Sequence, residues 1–220
     1  MSSPPGRPDK QAIGSQLLAD VSNYYTSKLQ QHGTTPRGVD WNGPESQQLR
    51  FAQLSRIVAG DGGFSINDLG CGYGAFLDYL ETEFTGFTYV GCDVSVAMIA
   101  AARERHRTNP NVHYHETSTP PQVSDYGVAS GIFNVRMGHD DAVWRDYVKA
   151  TLTVLDRTSR RSFAFNCLTT YSDPERARAD LFYANPCEMF DYCKRSFSRN
   201  VALLHDYGLY EFTILVRKAL

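Results

Sequence analysis

The sequence predicts an open α/β sheet, mostly parallel, with helices on both faces and an antiparallel hairpin at its C-terminal end. Three observations predict it. Short apolar runs alternate with helical periodicities between residues 65 and 166. One run closes on a glycine-rich loop, Asp68-Leu69-Gly70-Cys71-Gly72-Tyr73-Gly74. The chain then finishes on two strand-like runs set too close together for a parallel crossover. Strand–helix alternation implies parallel neighbours, because a parallel pair needs a crossover of about a dozen residues or more, usually a helix.

Gln11 to Gln31 reads as one or two helices, with Leu17, Leu18, Val21, Tyr24, Tyr25 and Leu29 near helical spacing. A turn-rich stretch follows, containing Gly33, Pro36, Gly38, Trp41, Gly43 and Pro44. Ser46 is expected to cap a helix running to about Val58. Ser65–Leu69 is the first strand, Ala75–Glu83 a helix, Phe87–Cys92 a strand, Val96–Arg107 a helix and Val112–Glu116 a strand. Tyr126–Phe133 is almost wholly apolar or small, as befits a strand covered on both faces. Asp141–Leu155 carries Trp144, Tyr147, Val148, Leu152 and Leu155 in a helical stripe, and Ser162–Asn166 is the next strand. Residues 169–196 form an aromatic insertion in which Asp173-Pro174 and Asn185-Pro186-Cys187-Glu188 read as helix starts. Phe197–Leu204 and Leu209–Lys218, separated by His205-Asp206-Tyr207-Gly208, form the hairpin.

The organisation expected is a disordered tail over 1–9, a helical cap over 10–45 and one main domain over 46–220, with 169–196 as a lid on it. A net charge of −2 with no long basic run gives no electrostatic reason to expect nucleic acid. No stretch approaches the roughly 20 apolar residues of a membrane span, and the N-terminus reads as no signal peptide. The five cysteines, an odd number with no CxxC spacing, read as reduced and mostly buried thiols of a cytoplasmic protein. His113 and His115, with His106 and Glu116 near, read as polar residues on one face of a strand rather than metal ligands, since no further ligand motif follows.

The glycine loop lies between a strand and a helix, where ligands of open α/β sheets bind. Gly70, Gly72 and Ala75 also fit the loose dinucleotide pattern. Asp68 argues against that reading: a carboxylate at the strand end suits a cationic ligand and repels a pyrophosphate. The loop also begins at residue 68 of 220, which leaves little chain for a second substrate domain.

The pattern resembles the class I S-adenosylmethionine-dependent methyltransferases. Asp68 to Gly74 matches their first motif, DxGxGxG; Asp93 matches the acidic residue after their second strand; Ser130 to Asn134 matches their fourth-strand motif; and the final hairpin matches their antiparallel seventh strand. The resemblance covers about Ser46 to Leu220 and points to a bacterial branch. It implies a seven-stranded Rossmann-like sheet and S-adenosylmethionine as cofactor. Asp68, Gly70, Gly72, Gly74, Asp93, Met98, Glu116 and Ser130 become its binding residues, with Asp93 at the ribose and Glu116 at the adenine amine. Simpler readings stand beside these: Asp68 and Asp93 as helix caps, Glu116 as a solvated strand end, Met98 as core.

Methyl transfer from a sulfonium needs orientation, a dry pocket and often a base. No Asn/Asp-Pro-Pro-Tyr follows the fourth strand; Asn134 is followed by Val135-Arg136. Asp140 and Asp141 suit a helix start better than a metal site. The expected acceptor is therefore a small molecule, met by Tyr25, Trp41, Asn134 and Tyr171, with His139 and His205 as competing bases. The alternatives are a cofactor-binding protein of the same fold without catalysis, or an NAD-linked oxidoreductase.

Overall fold

Strands buried on both faces form the middle of the sheet. Ile66, Asn67, Asp68 and Leu69 of β1 (Ser65–Leu69) are all buried, as are Val90 and Cys92 of β2 (Thr88–Asp93) and Tyr126 and Val128 of β4 (Ser124–Ala129). The computed structural model describes residues 10–60 and 63–218, so the Met1–Asp9 segment expected to be a tail lies outside the described residues. The other strands are β3 (Val112–Glu116), β5 (Ser159–Thr169), β6 (Tyr183–Ala184), β7 (Asn200–Leu204) and β8 (Glu211–Arg217). The helices are α1 (Lys10–His32), α2 (Pro44–Ser55), α3 (Ala75–Glu83), α4 (Val96–Arg105), α5 (Asp141–Thr158) and α6 (Pro186–Ser196), with short 3₁₀ turns at Pro36–Val39 and Pro174–Arg176.

The strand order is β3-β2-β1-β4-β5-β8-β7, parallel except for β8, which runs antiparallel to both neighbours. The sheet has eight strands rather than the seven expected. β5 outruns β4, whose last paired residue Ala129 faces Phe165, and the two-residue β6 pairs with the overhang at Leu168 and Thr169. Apolar helix stripes cover both faces. Trp144, Val148, Leu152 and Leu155 of α5 pack on one, and Phe51 and Leu54 of α2 with Phe76, Leu77 and Leu80 of α3 on the other. Each such fully buried side chain contributes about 1.5–3 kcal/mol before entropy is counted.

Local chemistry moves some expected boundaries. The fourth strand stops at Ala129, because Gly131 turns the chain at φ 74 and directs residues 130–133 out of the sheet. Ser46 does not cap α2: Gly43 is the N-cap, Pro44 opens the helix, and the Ser46 hydroxyl donates to the Gly43 carbonyl at 3.0 Å. Asn185 does cap α6, its Oδ1 accepting from Cys187 and Glu188 N–H. Four cysteines are buried thiols and Cys187 is exposed. No helix among the described residues is long and apolar enough to cross a membrane.

Candidate active site

A cleft of about 900 Å³, counted out to its mouth, opens at the carboxyl ends of β1, β2 and β4. Parallel strands deliver their ends to one edge, so Asp68, Asp93 and Ser130 converge there although they are far apart in the chain. Leu18, Val21 and Tyr25 of α1 cover the cleft. α1 is pinned by the Ser22 hydroxyl, which donates to the Val94 carbonyl at 3.0 Å, and by a Thr26–Ser95 hydroxyl contact of 2.8 Å.

Asp68 is 1% exposed, and its Oδ2 accepts from the Tyr89 hydroxyl at 2.6 Å. Its Oδ1 has no partner in the protein. Burial pushes the Asp68 carboxyl up to about 7; the Tyr89 hydrogen bond opposes this and the Asp93 charge adds to it. The Ser130 hydroxyl in the same cleft is also buried and unpartnered. Buried polar atoms are nearly always paired, so two orphans in one cleft mark a place for a ligand. The one other orphan among the described residues, Ser159 Oγ, lies away from the cleft, at the start of β5.

Asp93 has two tasks. Its Oδ2 accepts from Gly72 N–H at 2.9 Å and its Oδ1 from Ser95 N–H at 2.8 Å, tying the glycine loop to the start of α4. Burial raises its pKa, and these backbone bonds hold it down. The cap of α4 is Ser95, which accepts from Met98 N–H, so Asp93 borders the cleft without being the cap itself.

Of the residues expected at the cofactor, Asp68, Gly70, Gly72, Asp93, Met98 and Ser130 line this cleft, as do Tyr25 and Trp41, residues expected at the acceptor. Six expected residues do not: Asn134 lines a neighbouring cleft, and the other five lie elsewhere. Gly74 faces the opposite way: a Cβ there would meet the Tyr114 hydroxyl at 2.6 Å and the His106 ring at 2.8 Å, so its glycine serves packing behind the loop. Glu116 is exposed at the end of β3, two strands from β1, and Thr117 and Ser118 line the cleft instead. His205 does emerge from a strand parallel to β1, but β7 is the sheet edge, four strand spacings or roughly 19 Å away. There it packs against Tyr171, which is 67% exposed and also lies outside the cleft. His139 stacks on Trp144 and contacts Asp20 Oδ2 at 3.0 Å, joining α1 to the body. Among the described residues no group of three or more His, Cys, Asp or Glu is placed to hold a metal.

A second cleft, about 1220 Å³ on the same measure, adjoins the first. Tyr25, Val39, Trp41 and Gly131 line both. Asn134 belongs to this second cleft, with Arg50 and Glu211 beside it and Ser172, Arg176 and Arg178 from the insertion. Arg50 and Glu211 carry no sequence signal, since they come together from 161 residues apart. Tyr147 of the first cleft is hidden differently, since it sits in a helical stripe that reads as core, with Thr151 one turn on.

This fold and site define a class I methyltransferase. A family model described as "Methyltransferase domain" matches residues 67–158. A Mycobacterium tuberculosis (strain ATCC 25618 / H37Rv) protein named "Putative methyltransferase Rv1506c" is 55% identical over 164 residues, 74% of this chain and 99% of that protein. The chain belongs to the methyltransferase family. Magnesium protoporphyrin IX methyltransferase (ChlM) from Synechocystis PCC 6803, solved with bound SAM, shares its fold at a TM-score of 0.61 and 12% identity, over 98% of this chain and 100% of that one. N-methyltransferase NodS from Bradyrhizobium japonicum WM9, in complex with S-adenosyl-L-homocysteine, superposes at 0.64 and 15% identity, over 90% and 97%.

Proposed function

We propose that this methyltransferase draws its methyl group from S-adenosylmethionine bound in the first cleft and passes it to a small molecule held in the second. The observation that carries the reading is the orphaned Asp68 Oδ1 in a cleft lined by the glycine loop. An acid poised near 7 and lacking one partner suits an ammonium group, which completes its hydrogen bonding and favours its charged form. Gly70 and Gly72 allow close backbone approach, Asp93 offers acceptors to ribose hydroxyls, and Met98, Thr117 and Ser118 line the part of the cleft near β2 and β3. A bound sulfonium supplies an already activated methyl group for in-line displacement.

The protein's own part is then to orient and to exclude water. Neither His139 nor His205 lines either cleft. Burial raises the Tyr147 phenol to about 12, which makes it a poor base at neutral pH. Positioning is therefore the main contribution, and near-attack geometry can supply about 7–11 kcal/mol of a barrier. α1 with the Trp41 loop covers the first cleft, and the 169–196 insertion borders the second. These act as the lids.

Calorimetric titration tests the reading. S-adenosylmethionine and S-adenosylhomocysteine are expected to bind and NAD is not; binding of NAD alone would reverse the assignment. Hydrogen exchange in α1 is expected to slow when S-adenosylhomocysteine is present.

A further inference from the structure

The wall between the two clefts is fastened from both sides to one carboxylate. Its centre is the contact of Trp41 with Gly131: a Cβ on Gly131 would lie 2.9–3.2 Å from three indole atoms, so the missing side chain is what lets the ring seat. On the Trp41 side, the Arg50 guanidinium covers the indole at 4.6 Å from its centroid. Arg50 in turn donates Nε and Nη2 to Glu211 at 2.8 and 2.6 Å. On the Gly131 side, the backbone N–H donates to Asn166 Oδ1 at 2.7 Å, and Asn166 Nδ2 donates to Glu211 Oε2 at 2.8 Å.

Glu211 is 2% exposed and Arg50 8%. Further bonds tie the pair in: Arg50 Nη1 donates to the Ser46 carbonyl at 3.0 Å, and Glu211 Oε1 accepts from Asn134 Nδ2 at 3.4 Å. With four hydrogen bonds accepted inside the protein, the Glu211 carboxylate holds geometry rather than ligand. The backbone beside Trp41 is secured separately, because Asp40, at φ 60, accepts from the Tyr24 hydroxyl at 2.8 Å and from Lys28 at 2.7 Å. Releasing Arg50 therefore frees the indole while the loop stays anchored.

We propose that Glu211 is a positioning residue: by holding Arg50 and Asn166 it fixes Trp41 against Gly131 and sets the aperture between the cofactor and acceptor clefts. The proposal rests on the functional reading of those clefts given above. Tryptophan emission reads the wall directly, since the chain's two tryptophans are Trp41 and a fully buried Trp144. Glu211→Gln keeps the volume but turns an amide NH₂ toward the donors of Arg50 or Asn166. Arg50→Lys keeps a cation beside Glu211 and removes the planar cover over the indole.

Both variants, well below their melting transitions, are expected to show about twofold stronger acrylamide quenching than the wild type, with S-adenosylhomocysteine affinity within about threefold. A merely structural role would lower the melting midpoint and leave quenching unchanged. Unchanged quenching in a folded variant overturns the proposal; if Glu211→Gln does not fold, Arg50→Lys decides. Failure of the wild type to bind S-adenosylhomocysteine would instead remove the cofactor reading, and the quenching comparison would show whether the wall is still held as described.

Discussion

The two clefts meet at Trp41 and differ in what their polar groups lack. In the first, Asp68 and Ser130 each bury an atom with no partner in the protein. Beside the second, Arg50, Asn134 and Asn166 all donate to the Glu211 carboxylate. The first is built largely from strand ends and a glycine loop, the second from side chains of α2, β8 and the insertion. An unpaired buried group costs stability unless a ligand completes it, whereas a paired network is there for shape. The contrast is why the defined ligand is proposed for the first cleft: its unpartnered atoms are fixed and buried, whereas the groups beside the second are paired already.

Breaking the floor of the second cleft should have the largest effect on stability. Glu211→Gln leaves Arg50 buried without its counter-charge, and such losses cost about 3–5 kcal/mol, read by chemical denaturation at neutral pH. Asp68→Asn should act in the opposite sense on stability and strongly on binding. A carboxyl held at about 7 when folded, against 3.8 when free, makes the folded state the better proton binder between those values. Stability therefore falls as pH rises through that window, and the amide escapes this loss. The variant should melt higher than the wild type at pH values above about 7, while losing roughly 10–100-fold in affinity for S-adenosylhomocysteine. Asp93→Ala should cost both stability and affinity, because its carboxylate holds the Gly72 and Ser95 N–H groups as well as facing the cleft.

The smallest effects are expected at the two histidines. His205→Ala, at the far sheet edge, should change stability and cofactor affinity by no more than about 0.5 kcal/mol. His139→Ala removes a partly exposed pair with Asp20, worth about 0–1 kcal/mol, and should loosen α1 slightly. A large loss of cofactor affinity in His205→Ala would show that the sheet edge and the cleft are coupled after all.

The same contrast explains what the sequence made legible. Asp68, Gly70, Gly72, Asp93 and Ser130 stand at the ends of three parallel strands adjacent in the sheet, β2, β1 and β4, so topology gathers them, and topology follows from alternation of periods. Glu116 missed because the chain end of β3 must still turn back toward the cleft, which brings Thr117 and Ser118 inside. His205 lies off the cleft because the antiparallel β8 inserts between β5 and β7, a lateral order that the hairpin pattern does not specify. Arg50 and Glu211 were invisible because nothing local in either segment needs the other. Their meeting is a product of α2 packing near β8, a long-range event that propensity and spacing do not encode.

If Asp68 recognises a cation in the first cleft, ligand binding must be linked to protons. Titration of the wild type with S-adenosylhomocysteine in two buffers of different ionisation enthalpy reports the protons exchanged on binding. An acid at about 7 that becomes fully charged beside an ammonium must release a proton, so affinity should be roughly tenfold weaker at pH 6 than at pH 8 and level off above. Asp68→Asn should abolish both the proton release and the pH dependence. Binding that is tight, independent of pH and unaltered in Asp68→Asn would contradict the account.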